Sequence, residues 1–477
     1  MKKIVSNTVL FIFGVLCVLY TIFYRNFAEL HIKLSFLNFP IFISEIVLLI
    51  SFLLFIIFFR EYLINKSLIT YSLYAYFAFV LVKALYGYFI WGPLAFRNAA
   101  MFYYVLFAVA TFLLAPKISE KPKIFYILAI VLILAMFFAK LIRQYFLVYY
   151  LAFIILIMPG LRIKKIVPVL SIAAFIFFSY FILSTTVRAL MVSYLIAVLF
   201  FMFCYSLFYL KSIRVKSIIS IGMLGVLGVL FAYKADRNSI KSLLPVKEHY
   251  ERFKEGREYS LRILNTKKRK DYNLKIYEKE REGEAFKTTS GDQEVKYLVY
   301  EPEKKEQLKI AKKEEKKKEV AKPVEKLREI HTAKNSLLWR MFVITDMLEE
   351  VAVNKKVFGM DFGKPFRSKT VEMLGWHDGW NVGWIEPHNS FVHIVYRAGV
   401  LGIVFIAAII IVFVRILIGF IRLKNVQGLI LMSVILYWLM MANFLVILEL
   451  PYFAIPFWIF VGATFKYYDG LRGGRVK

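Results

Sequence analysis

A chain of 477 residues that is 60% hydrophobic and 18% aromatic, with a mean hydropathy of +0.63, carries too much unbroken apolar sequence for a water-soluble domain. The net charge of +30 invites nucleic acid as a partner, but the basic residues are distributed over short connections between apolar runs, a pattern that points to a bilayer and away from nucleic acid. The two cysteines, Cys17 and Cys204, both fall inside apolar runs, which excludes a disulfide framework and a thiolate metal site.

A run of about 18 or more apolar residues is long enough to cross a membrane as a helix. Such runs, some of them short, occur at 5–24, 41–59, 68–91, 99–115, 124–139, 145–158, 167–183, 189–210, 218–233, 391–414, 426–448 and 452–465. The fifth and sixth are short enough that one of them can be a tilted or partly buried segment. The first follows Lys2-Lys3, as a signal peptide would, but Arg25-Asn26-Phe27-Ala28-Glu29 lacks a small-residue cleavage site, so it reads as a retained span.

The sequence therefore predicts an all-α polytopic membrane protein of about twelve transmembrane helices. The connections on one side carry twenty Lys and Arg, against six on the other (Arg25, Lys33, Arg97, Lys140, Arg143 and Arg188). Positive residues stay inside, so both termini are expected in the cytoplasm. Nine spans precede one long polar stretch, which then lies outside. Three regions result: a nine-helix membrane block at 1–233, an extracytoplasmic loop at 234–387, and a three-helix block with a basic tail at 388–477. No internal repeat is visible, which argues against a transporter built from symmetric halves.

The loop is composite. Period-two alternation through Tyr259, Leu261 and Ile263, through Tyr272, Leu274 and Ile276, and through Val295, Tyr297 and Val299 predicts a small β insertion, with Gly283 and Gly291 as breakers. Residues 303–329 are almost all Lys and Glu and read as an exposed helix or a solvated tether. A charged insertion thus occupies 236–335. In 336–387, Leu337, Leu338, Met341, Leu348 and Val351 share one face of an amphipathic helix that carries Arg340 on its other side. A glycine-punctuated turn, Phe358-Gly359-Met360-Asp361-Phe362-Gly363, follows, and then Trp376, Trp380 and Trp384. These indoles can stack on sugar rings or form an interfacial aromatic belt.

The chemistry concentrates where the loop re-enters the membrane, at Glu386-Pro387-His388-Asn389-Ser390-Phe391. Neutral imidazole accepts a proton near pH 7, so His388 is the general-base candidate. Its alternative is a plain helix-start histidine, with Asn389 or Ser390 as the cap. His393 reads as packed or hydrogen-bonded. Arg188, at an outer helix end, can hold the phosphate of a lipid carrier or act as an interfacial anchor. Arg340 can reach the same phosphate or remain a solvated helix charge. Arg397, one to two turns into its span, must face a partner or a cavity, as must Glu45 and Lys83, roughly 7 and 12 Å from their span ends at about 1.5 Å per residue. Glu45 and Lys83 can pair with each other, or line a polar cavity. Asn389, Arg397, Trp384 and Lys83 are the candidate substrate-binding residues. No phosphate loop, no His-Glu-x-x-His pair and no clear acidic metal cluster at an outer loop is present, so metal-independent chemistry without a cofactor is expected.

Three pieces, in order, resemble the O-antigen ligase and polymerase superfamily of bacterial polysaccharide enzymes. Thr185-Thr186-Val187-Arg188-Ala189 is similar to that family's arginine motif, although the family often continues with glycine where this chain has Ala189. Leu338-Trp339-Arg340 with the turn 358–363 resembles its arginine helix and glycine turn. His388-Asn389-Ser390-Phe391, leading to Gly399-Val400-Leu401-Gly402, resembles its most specific segment. The resemblance implies a GT-C-like membrane glycosyltransferase of the inner membrane that uses an undecaprenyl-diphosphate-linked glycan as donor. It also implies that His388 activates the acceptor hydroxyl, of a glycolipid or another acceptor, and that Arg188 and Arg340 hold the diphosphate. A repeat-unit polymerase or a protein O-oligosaccharyltransferase shares the donor site and differs in acceptor. A lipid-glycan flippase is the reading from another class.

Overall fold

The computed structural model describes residues 2–33, 40–64, 68–114, 188–208, 336–373 and 387–473. The apolar runs at 124–139, 145–158, 167–183 and 218–233, the expected β insertion, the 303–329 charge run and Trp376, Trp380 and Trp384 lie outside the described residues. What is described is mostly helical. The elements are α1 (Lys2–Ala28), β1 (His31–Lys33), β2 (Pro40–Phe42), α2 (Ile43–Ile64), α3 (Leu68–Trp91), α4 (Leu94–Tyr103), α5 (Val105–Leu114), α6 (Arg188–Phe208), α7 (Ser336–Val353), α8 (Lys369–Met373), α9 (Ser390–Ala398), α10 (Val400–Arg422), α11 (Val426–Ala442) and α12 (Pro451–Gly473).

Among the described residues, four helices are long and apolar enough to cross a membrane: Ile4–Ala28, Leu73–Trp91, Leu94–Leu114 and Val400–Arg422. Ile43–Phe58, Ala189–Tyr205 and Val426–Ala442 are shorter apolar helices. The run at 68–91 coincides with α3. Other runs are cut differently, each for a local reason. The helix expected at 99–115 starts at Leu94, behind the Gly92-Pro93 turn, because proline fits a helix start, and α4 passes into α5 through Tyr104, whose backbone angles stay helical. The run at 391–414 is two helices, α9 and α10, separated by Gly399 at φ 57°, ψ −131°, a conformation only glycine adopts readily. The run at 426–448 stops being helical at Ala442, and a string of turns occupies 443–450.

A short hairpin that periodicity did not reveal joins α1 to α2. β1 pairs antiparallel with β2, His31 opposite Phe42, Ile32 opposite Ile41 and Lys33 opposite Pro40. Three-residue strands are below the length at which alternation is legible.

The chain divides into two compact units. The first comprises Met1–Ala235, Phe358–Lys364 and His388–Lys477. Its core joins α5 to α12, α6 to α11, α3 to α4 and α1 to α12. Phe13 meets Phe107 edge-on at 5.2 Å, and Phe102 stacks on Phe362 at 5.4 Å. The turn Phe358–Lys364, read above as part of the loop, is thus built into the helical block. The second unit holds α7 and α8. Its buried Asp346 accepts from Ser368 Oγ at 2.6 Å, Thr370 N at 2.8 Å and Thr370 Oγ1 at 2.9 Å, which ties the start of α8 to α7.

Candidate functional site

His388 immediately precedes the cap of α9 and has φ 48°, the left-handed region that a histidine enters at a cost. Its side chain is half-buried. The residues after it hold the backbone there. Asn389 caps α9, its Oδ1 accepting from the N–H of Phe391 and of Val392, each at 3.0 Å. Ser390 Oγ donates to Leu445 O at 2.9 Å and accepts from Leu448 N at 3.2 Å. The first turn of α9 is therefore fastened to the 443–450 turn. Of the two cap candidates, Asn389 caps and Ser390 docks.

One and two turns further along α9 come His393 and Arg397, 4% and 2% exposed. His393 Nδ1 lies 2.9 Å from Glu449 Oε2, and its Nε2 accepts from Arg397 Nε at 3.3 Å. Glu449 Oε1 also takes Asn98 Nδ2 at 3.4 Å and faces Arg97 Nε at 3.6 Å. Burial alone would raise the Glu449 carboxyl. The adjacent His393 ring and the Arg97 and Arg397 guanidiniums outweigh that and hold it at about 2.

The remaining donors of Arg397 go to backbone: Nη1 to Asp361 O at 2.6 Å and Nη2 to Lys364 O at 2.9 Å. The same turn is held from two more sides. Gly363 N donates to Asn98 Oδ1 at 2.8 Å, and Met360 N to Tyr396 O at 2.7 Å. Lys83 Nζ donates to the carbonyls of Phe358 and Arg397 and, at 3.2 Å, to that of Gly359, with the Phe362 ring 5.3 Å away. Gly359, at φ 73°, is a necessity: a Cβ there would sit 2.6 Å from Ala398 N, Arg397 C and Gly399 N. A non-helical turn inside an apolar block is tolerated when the protein itself satisfies its polar groups. Lys83, Asn98 and Arg397 do so here.

Of the sequence candidates, Lys83 and Arg397 meet at the C-terminal end of α9, whereas Asn389 caps its start, directly after His388. The donor groups of Arg397 are spent on the protein, as its depth required. The expected Glu45–Lys83 pair is replaced: Glu45 accepts from the Tyr103 hydroxyl and from Phe42 N at 3.2 Å, while Lys83 turns to carbonyls. Arg188 opens α6. Arg340 lies on α7 in the second unit, half-buried, and burial lowers its pKa from the usual guanidinium value. Trp384 is outside the described residues. Among the described residues no group of three or more His, Cys, Asp and Glu is arranged to hold a metal ion.

Three members of the cluster escaped the sequence reading: Arg97, counted only for topology, Asn98 and Glu449. A signal for Glu449 existed. It is the sole acid between Glu386 and Asp469, inside a run of apolar residues. No family model, no curated protein and no solved structure matches the chain.

Proposed function

We propose that this chain is a membrane glycosyltransferase of the O-antigen ligase type. On this reading it transfers a glycan from an undecaprenyl diphosphate to an acceptor hydroxyl at the outer face of the cytoplasmic membrane. About twelve helices cross the bilayer, both termini are cytoplasmic, and the long loop is outside. The His388 imidazole takes the proton of the acceptor hydroxyl, and the oxygen attacks the anomeric carbon. The bond from that carbon to the lipid diphosphate breaks, and the diphosphate leaves with its charge met by Arg188 and Arg340.

The observation that carries this reading is the left-handed backbone of His388, held by the Asn389 cap and the Ser390 anchor. A histidine held at positive φ by the contacts around it is a backbone outlier of the kind that clusters at functional sites, and this supports the reading. The buried network behind α9 adds rigidity to that placement. No metal or cofactor enters the proposed steps.

The test is His388→Ala in a strain lacking the native gene, with glycan transfer assayed in membranes. Transfer should fall by about 10²–10⁴-fold, the contribution of a positioned base. Transfer at the wild-type rate removes the base and, with it, this reading. The product that accumulates in the null strain separates the acceptors. Long lipid-linked chains indicate ligation, and single repeat units indicate polymerisation.

A further inference from the structure

Arg97 differs from the other charged members of the cluster. Glu449, His393 and Arg397 are buried, whereas the Arg97 side chain is 46% exposed although its Nε faces Glu449. It sits in the first turn of α4, just past the Gly92-Pro93 turn that follows α3. Two helices long and apolar enough to span, Leu73–Trp91 and Leu94–Leu114, meet at that turn; if both cross the bilayer, Arg97 comes close to a membrane surface and its phosphates.

An arginine that only snorkels reaches those phosphates on its flexible stem and needs nothing behind it. Arg97 has a buried carboxylate at its Nε, and that carboxylate is itself fixed by His393 and Asn98. The brace costs the site little of its attraction for anions. Arg97 and Arg397 both act on the Glu449 carboxylate, and Lys83 Nζ reaches the Arg397 carbonyl, so positive groups outnumber the one carboxylate among them. A fixed guanidinium backed by positive charge is a phosphate receptor, because its planar donors match phosphate oxygens and little freedom is lost on binding.

We propose that Arg97, braced by Glu449, binds a lipid phosphate. Its identification with the diphosphate of the lipid-linked donor rests on the function proposed above; the phosphate chemistry does not. The proposed reaction would then draw on a third cation, on the same helical unit as His388, in addition to Arg188 and Arg340.

The full-length protein in nanodiscs provides the test, with labelled farnesyl diphosphate as probe, first in phosphatidylcholine alone and then with phosphatidylglycerol added. Arg97→Gln should weaken probe binding about tenfold in phosphatidylcholine, the worth of one charge-assisted contact, and Arg97→Lys should recover part of it. Thermal unfolding of each variant separates lost binding from lost folding. Strong competition by phosphatidylglycerol in the wild type that vanishes in Arg97→Gln would assign the residue to phospholipid headgroups, the other source of the same chemistry. Equal probe affinity in wild type and a folded Arg97→Gln, with or without phosphatidylglycerol, overturns the proposal. Arg97-dependent probe binding combined with undiminished transfer by His388→Ala would keep this inference and sink the glycosyltransferase reading.

Discussion

α9 and α10 are consecutive helices joined at one glycine, and they occupy opposite environments. α9 buries Ser390, His393, Ile394, Tyr396, Arg397 and Ala398 in nine residues, and two of these are basic side chains with protein partners. α10 is longer and far more apolar, yet it buries only Gly402, Phe413, Gly419 and Phe420 and leaves Ile403, Val404, Ile410 and Ile411 more than half exposed. The helix with buried ionisable side chains is inside, and the helix whose charges, Arg415 and Arg422, are confined to its C-terminal third is outside. In a bilayer this inversion is the economical arrangement. Lipid solvates isoleucine as well as a protein core does, so apolar side chains can face outward, while ionisable groups must find protein partners.

That contrast can be broken from the α9 side first. Arg397→Met removes the donors to Asp361 O, Lys364 O and His393 and leaves Glu449 with one cation fewer. Breaking a buried ionic network in this way costs about 3–5 kcal/mol, so the detergent-solubilised protein should lose stability by that order in thermal or denaturant unfolding. A loss below about 1 kcal/mol would mean that the network is more open to water than its burial indicates.

Glu449→Gln keeps the shape and removes the charge, and should cost less, about 1–3 kcal/mol. Its pH dependence has a definite sign. Because the folded-state value is depressed from 4.5 to about 2, the carboxylate's contribution is fully present above the ordinary value and is lost as pH falls through that window. Wild-type stability should therefore decline between about pH 4.5 and 2 more steeply than that of Glu449→Gln. Parallel curves would show that the carboxylate is not held ionised by its neighbours.

The smallest effect belongs to α10. Ile411→Val, on a side chain 65% exposed, should change stability by less than about 0.5 kcal/mol. A core-sized loss there would mean that a protein partner, and not lipid, covers this face, and the contrast with α9 would weaken.

Much of the first unit was legible in advance. The apolar run 68–91 became α3 with the same ends, and the runs near 5–24, 41–59 and 189–210 became α1, α2 and α6 with shifted ends. At the site, the burden on Arg397 at its depth and the glycine turn near 359–363 could be read from residue type alone. Hydropathy could not reveal that 391–414 is two helices. Glycine at Gly399 is averaged away in any window wide enough to detect a span. Nor could it reveal which carboxylate would answer which cation. Glu45 and Lys83 looked like partners because both were charges stranded in apolar sequence, but Tyr103 and Phe42 stand closer to one, and the carbonyls of 358, 359 and 397 to the other.

Sequence by itself determined that this is a largely helical chain with helices apolar enough for a membrane, because the free energy of moving a side chain from water to lipid depends on its own chemistry and on its neighbours within one span. Tertiary structure alone decided that Arg97, Asn98, His393, Arg397 and Glu449 form a single network beneath the start of α9. Those residues come from three segments, one of them almost three hundred positions from the other two, and partner choice among charges depends on distances of about 3–4 Å that no one-dimensional pattern encodes.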